Sequence, residues 1–174
     1  MPAESTFTPI ATTTLSATGD INFTSIPQIY TDLLLVLRGR SNNAAINVGA
    51  YHGLNGTYGA GGYSALELSA DGATVSSPVQ SNQPFVGGIA PIPAGTSTAN
   101  VFGNTHYYIL NYSNTTTNKT IIWKSASDLS ASSGRITVGA GLWRNTAAVN
   151  AWYITVPGQF TAATTATLYG IAAA

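Results

Sequence analysis

The longest uninterrupted apolar run in this chain spans residues 33–37 (Leu-Leu-Leu-Val-Leu), and it strongly constrains the fold. Five apolar residues are too few for a typical helix, and the glycine at position 39 before Ser41-Asn42-Asn43 is typical of a turn. A strand without a polar face must be covered on both sides. The run therefore predicts a strand in the middle of a β-sandwich or in an interface between subunits.

Nine further stretches are rich in β-branched and aromatic residues, and most of them alternate apolar with polar positions, as strands do. They span residues 7–15, 21–24, 46–51, 63–68, 105–112, 120–125, 135–144, 151–156 and 166–171. Pro9 confines the first of them to a sheet edge. The stretches 105–112 and 120–125 flank a hydroxyl-rich segment and predict a hairpin.

Residues 71–95 contain four prolines, at positions 78, 84, 91 and 93, so we expect at most one irregular strand there. No amphipathic helical stretch of useful length occurs along the chain. The pattern predicts an all-β fold, an antiparallel β-sandwich of about eight strands with a jelly roll as the expected topology. We expect a single domain over residues 1–174 with a short N-terminal arm.

The charge content is unusually low and excludes several classes of partner. Six basic and six acidic side chains give a net charge of zero, and only 7% of residues are charged. No basic cluster could contact phosphates, so we expect no nucleic-acid partner. No apolar window is long enough to insert into a membrane, and residues 1–6 lack the features of a signal peptide, which predicts synthesis in a cytoplasm. A sparsely charged surface favours association with other copies or proteins.

Four stretches carry a resemblance to a known family. They are Ser25-Ile26-Pro27 with Tyr30-Thr31-Asp32-Leu33, the segment 111–120 (Asn-Tyr-Ser-Asn-Thr-Thr-Thr-Asn-Lys-Thr), Gly141-Leu142-Trp143-Arg144 with Thr146-Ala147-Ala148-Val149-Asn150, and Leu168-Tyr169-Gly170-Ile171. With them the chain resembles a family of short all-β virion proteins of tailed bacteriophages. It departs from the family at Thr57, where members typically carry Asp after Asn-Gly, and at Ala172, where members often carry Lys.

The resemblance implies a virion component, of tail-fibre or other surface type, and brings no catalytic motif. We expect the protein to be located in the virion after synthesis in the host cytoplasm. Its expected partners are other virion proteins of the tail, baseplate or capsid, further copies of itself in a homotrimer, and a host-surface glycan.

An enzymatic function is not supported by the sequence. The histidines are His52, which we expect to border a loop, and His106, which we expect to pair across strands. The segment 62–66 (Gly-Tyr-Ser-Ala-Leu) lacks the second glycine of a nucleophile elbow. The carboxylates are too scattered to predict a glycosidase pair, although a depolymerase stays an alternative. We therefore expect no catalytic residue, no metal ligand and no cofactor.

The aromatic residues offer two interpretations. Trp123, Trp143 and Trp152 lie in predicted strands, which favours the core or a subunit interface over a sugar-stacking platform. Five other residues are our candidates for an exposed contact surface. They are Tyr51, Tyr58 and Tyr63 around the glycine-rich segment 53–62, and Asn114 and Thr116 at the tip of the predicted hairpin.

Two functional hypotheses follow from these observations. In the first, the chain is a tail-fibre or appendage module on the particle exterior that contributes to attachment to the host surface. In the alternative, it is a capsid decoration protein, a cement protein that stabilises the head.

Overall fold

The structure is a computed structural model, and it describes residues 6–56, 61–129 and 134–172. Within these ranges thirteen strands occur and no helix, so no described segment forms a helix able to cross a membrane. In chain order the strands are β1 (Phe7–Thr14), β2 (Ile21–Phe23), β3 (Asp32–Gly39), β4 (Asn47–Leu54), β5 (Tyr63–Ala70), β6 (Val75–Ser76), β7 (Val79–Gln83), β8 (Val86–Pro93), β9 (Gly103–Ile109), β10 (Lys119–Ser127), β11 (Arg135–Trp143), β12 (Trp152–Thr155) and β13 (Thr165–Ile171).

The strands form two antiparallel sheets around one hydrophobic core. The large sheet has the order β1-β13-β3-β9-β10-β11-β5-β6, with β7 also paired to β5, and the small sheet has the order β2-β12-β4-β8. The fold is therefore an antiparallel β-sandwich, as the sequence predicts. The jelly-roll topology and the single domain over 1–174 stay predictions, and residues 1–5 of the expected N-terminal arm lie outside the described ranges.

Strand β3 holds the apolar run that dominates the sequence. It lies between β13 and β9, and the side chains of Leu33, Leu35 and Leu37 point inward and are fully buried. On the outer face, Leu34 lies in register between Tyr169 and Tyr108 and is only 7% exposed. The small sheet covers one face of the run, and neighbouring side chains within the large sheet cover part of the other.

On the inner face of the large sheet, the lack of a side chain at Gly139 leaves space for the indole of Trp123 on the neighbouring strand. Glu67 of β5, Gly139 of β11, Trp123 of β10 and Tyr107 of β9 are successive partners across four strands. The Trp123 ring lies against Gly139, and it is buried, as are Trp143 and Trp152. The prediction that the three tryptophans lie in the core or in a subunit interface is confirmed, and all three lie in the core.

The expectation for residues 71–95 was wrong, because three strands occur there instead of one irregular strand. Two of them, β6 and β7, are short and pair only with β5 at the border of the large sheet. The third, β8, is an edge strand of the small sheet. Proline is tolerated at an edge, where one side of the strand needs no donors, so Pro91 lies within β8 and Pro93 is its last residue. With these three strands the described residues contain thirteen, more than the expected eight or so.

Candidate functional site

One end of the sandwich is built from connections that hydrogen bond to one another. This loop end, as we call it, comprises residues 24–31, 55–56, 61–62, 110–118 and 144–151. The Ile26 N–H donates to the Asn150 carbonyl, and the Val149 N–H donates to the Tyr112 carbonyl. The Tyr112 hydroxyl donates in turn to the Pro27 carbonyl. These contacts join the β2–β3, β9–β10 and β11–β12 connections, and buried side chains such as Tyr112, which we call anchors, link them further.

Lys119 is one of these anchors, although a lysine is seldom fully buried. Its Nζ donates to the Thr117 carbonyl at 2.7 Å and to the Thr146 carbonyl at 3.1 Å. Burial lowers the pKa of its ammonium group. The side chain joins the hairpin tip to the connection between β11 and β12.

Replacing Lys119 by methionine tests this anchor. The variant keeps the apolar stem but leaves two carbonyls without their donor, so the free energy of unfolding should fall by about 1–2 kcal/mol. Urea unfolding at a fixed protein concentration measures the change. Lys124 lies on the same strand but is exposed, so Lys124→Met is the matched control and should change stability by less than about 0.5 kcal/mol. Equal losses in the two variants would contradict the anchoring role.

Asn55 fixes the position of the next connection. Its Nδ2 donates to the Ala148 carbonyl at 2.7 Å, and its Oδ1 accepts from the N–H groups of Asn150 at 2.8 Å and Ala151 at 3.1 Å. Its backbone has a φ of +52°, a conformation that asparagine tolerates better than most residues. The side chain therefore holds residues 148–151 beside the end of β4.

A groove of about 460 Å³ opens where the loop end meets the outer face of the small sheet. Asn22, Thr24, Gly56, Ala151 and Tyr153 line it. Strand pairing places Asn22 directly beside Tyr153, because β2 and β12 are neighbours. An aromatic ring, an amide and a hydroxyl thus share one concave surface, which we call the Tyr153 groove.

The Tyr153 side chain is held in place by Asp20. The tyrosine hydroxyl donates to Asp20 Oδ2 at 2.6 Å, and the Thr155 hydroxyl donates to Asp20 Oδ1 at 2.7 Å. Burial and the adjacent carboxylate raise the pKa of Tyr153, so the phenol stays neutral in ordinary buffers. The groove can therefore offer a neutral ring and neutral polar groups, a combination suited to uncharged polar ligands such as sugars.

The five contact residues predicted from the sequence have different environments in the structure. Tyr63 was wrongly predicted to be exposed, because its ring is buried beside Trp143, with the ring centroids 6.3 Å apart, and its hydroxyl accepts from the Leu54 N–H at 2.9 Å. Tyr51 is half-buried against Phe85 on the same outer face as Thr155. Tyr58 lies outside the described residues.

The two hairpin-tip residues have different roles. Asn114 is half-buried, and its Oδ1 accepts from the backbone N–H groups and the hydroxyls of Thr116 and Thr117. It therefore shapes the tip from within. Thr116 is exposed at the tip, as predicted.

The histidines occupy two different environments. We expected His52 to border a loop, but it lies fully buried in β4. Its Nδ1 accepts a hydrogen bond from Trp152 Nε1 at 3.0 Å. Burial lowers its pKa to about 3, so the ring is neutral. His106 pairs across strands with Val36 and Lys124, as predicted. Across residues 6–56, 61–129 and 134–172, no three His, Cys, Asp or Glu side chains are grouped closely enough to hold a metal ion.

Sequence reasoning did not identify the Tyr153 groove. The alternation in residues 21–24 and 151–156 indicates that Asn22 and Tyr153 point away from the core. Their proximity, however, depends on the pairing of β2 with β12, strands that are far apart in the chain. The sequence contains no signal for that pairing.

Comparison with models of known protein families found none that matches this chain, and comparison with curated proteins found no significant relative. The bacteriophage resemblance thus depends on the four sequence stretches.

Proposed function

We propose that this chain is a non-enzymatic structural protein on the exterior of a bacteriophage particle, a tail-fibre or appendage module that contributes to attachment to the host surface. The observation that carries the proposal is the Tyr153 groove, which combines an aromatic ring with neutral polar groups. It lies beside the loop end, whose connections hydrogen bond to one another. The resemblance of the four sequence stretches to tailed-phage virion proteins supports the assignment to a phage particle.

The chemistry of the groove favours a glycan over a charged ligand. Sugar rings present apolar C–H faces, which pack on aromatic rings, and hydroxyls, which exchange hydrogen bonds with amides and hydroxyls. Tyr153 supplies the ring, while Asn22 and Thr24 supply the polar groups. A preformed surface loses little conformational entropy on binding, and the anchors at Asn55 and Lys119 supply that preorganisation.

Glycan binding by the full chain tests the proposal. The purified protein is applied to an array of bacterial lipopolysaccharide and capsular polysaccharide fragments, and we expect a signal for at least one of them. Tyr153→Ala should weaken that binding at least about tenfold, a loss of roughly 1.4 kcal/mol. Tyr169→Ala is the matched control, because Tyr169 is half-buried on the outer face of the large sheet, away from the groove.

Two results would overturn the glycan role. The first is no signal on the array from the intact chain. The second is an equal loss of binding in the Tyr153 and Tyr169 variants, since it would show that the groove is not the contact site. In the first case the proposal of a virion component could still be examined by mass spectrometry of purified particles.

The second candidate function is capsid decoration, in which the chain acts as a cement protein. The low charge favours it, because a sparsely charged surface can pack on shell proteins. Copy number in purified virions distinguishes the two functions. Enough copies to cover the whole shell would favour the cement protein, whereas the few copies that a tail carries would favour the fibre module.

A further inference from the structure

The outer face of the large sheet carries a patch of exposed apolar side chains. Each member is between 40% and 75% exposed, although each is a large aliphatic residue. This outer apolar face, as we call it, consists of Leu66 and Leu68 on β5, Val75 on β6, Val79 on β7, Ile122 on β10, and Ile136 and Val138 on β11.

Strand register makes the patch continuous. Leu68 pairs with Val138, and Leu66 pairs with Val79 on its other side. Ile122 and Leu66 both pair with Ala140, so they lie on either side of it in one row. The apolar residues therefore cover neighbouring positions on adjacent strands instead of being scattered singly.

The size of the patch matches that of a protein interface. Together these side chains expose roughly 700 Å², close to the ~800 Å² that each partner buries in a standard interface. The largest apolar patch on a typical monomer is about 300–600 Å². A face of this extent is expected to be covered in the working form of the protein.

The charge pattern favours a second copy of the same chain as the cover. Among the outward positions of β5, β10 and β11, Lys124 is the only ionisable side chain, and it lies beside Val138. Its stem can cover apolar surface while the ammonium group reaches water at the rim. The net charge of the chain is zero, so two copies have little long-range repulsion to overcome.

We infer that the outer apolar face is the contact surface between copies of this chain. The face packs against the large sheet of a second copy, as two sheets pack in a sandwich. The oligomer then leaves the Tyr153 groove open, because the groove lies on the small sheet at the opposite side of the core. This inference is independent of the glycan role.

Sedimentation velocity at micromolar concentration tests the contact. We expect the full chain to have at least twice its single-chain mass of 17.9 kDa. Val138→Glu places a charge in the middle of the face and should raise the dissociation constant at least about tenfold. Thr12→Glu is the control, because Thr12 is exposed on the β1 side of the same outer face, and it should leave the mass unchanged.

Cysteine labelling keeps the inference testable if the glutamate variant does not fold. The chain has no cysteine, so Val138→Cys and Thr12→Cys each introduce a single thiol. In the assembled protein a maleimide should react more slowly at position 138 than at position 12. The inference is overturned if the chain is a monomer, if the Val138→Glu variant keeps the assembled mass, or if the two thiols react at equal rates.

Discussion

Replacing Gly139 by alanine is expected to lower the free energy of unfolding by about 3 kcal/mol, because the added methyl group has no room beside Trp123. A Cβ at this position would lie 2.3 Å from Cζ2 and 2.6 Å from Cε2 of the indole, and 2.7 Å from the Leu66 carbonyl oxygen. Neither neighbour can move easily, since Trp123 is buried and Leu66 belongs to a paired strand. Urea unfolding measures the loss.

Two further variants separate steric crowding from a general effect of glycine replacement. Gly19 has no atom within 4 Å of an added Cβ, so Gly19→Ala should be neutral or slightly stabilising. Trp123→Phe removes the part of the ring that faces Gly139. The double variant should therefore lose less stability than the sum of the two single variants. Simple addition of the two losses would contradict the steric explanation.

Glu67 should make the protein less stable as the pH rises from about 4.5 to about 7. The side chain faces the core and is 5% exposed, and its Oε2 accepts no hydrogen bond from the described residues. Burial raises the pKa of this carboxyl from 4.5 to about 7, although the positive charge of Arg135 acts in the opposite direction. The folded protein therefore binds a proton more tightly than the unfolded chain does, and this preference stabilises the fold fully below about pH 4.5.

The Glu67→Gln variant removes this titration. Its free energy of unfolding should be close to that of the unmodified protein at pH 4.5 and should exceed it by about 3 kcal/mol above pH 7. Urea unfolding over a series of pH values gives the difference curve. The control is Asp71→Asn, because backbone N–H groups of Thr74 and Ala73 lower the pKa of Asp71, so its curve should be flat in this window. A flat curve for Glu67→Gln would contradict the buried position of the carboxyl.

The strands that the sequence predicts well are those whose pattern is set by burial within a short segment. Residues 33–37 form the middle of β3 because the run is apolar throughout. The β9–β10 hairpin follows from local alternation and turn chemistry in residues 105–125, although β9 ends at Ile109 and residues 110–112 belong to the connection. Residues 71–95 were predicted poorly, since proline reports only on the local backbone. Whether a strand lies at an edge, where proline is tolerated, depends on the rest of the sheet.

The candidate site was less predictable than the fold. Tyr63 was expected at the surface because it follows a glycine-rich segment, yet its position on β5 turns the ring toward Trp143 and the core. The Tyr153 groove depends on the pairing of β12 with β2, and alternation can assign a face to each strand but cannot choose its partner.

The position of β3 in the large sheet also has a consequence for how the protein is made. On one side β3 pairs with β13, and Leu35 lies opposite Leu168, near the far end of the chain. During synthesis, β3 therefore leaves the backbone groups on one edge unpaired until β13 has left the ribosome. Such long-range pairing is slow to form, and an open apolar edge can pair with other chains. We therefore expect folding yield to be more sensitive to loss of β13 than to loss of β1, which pairs only with β13 at the sheet border.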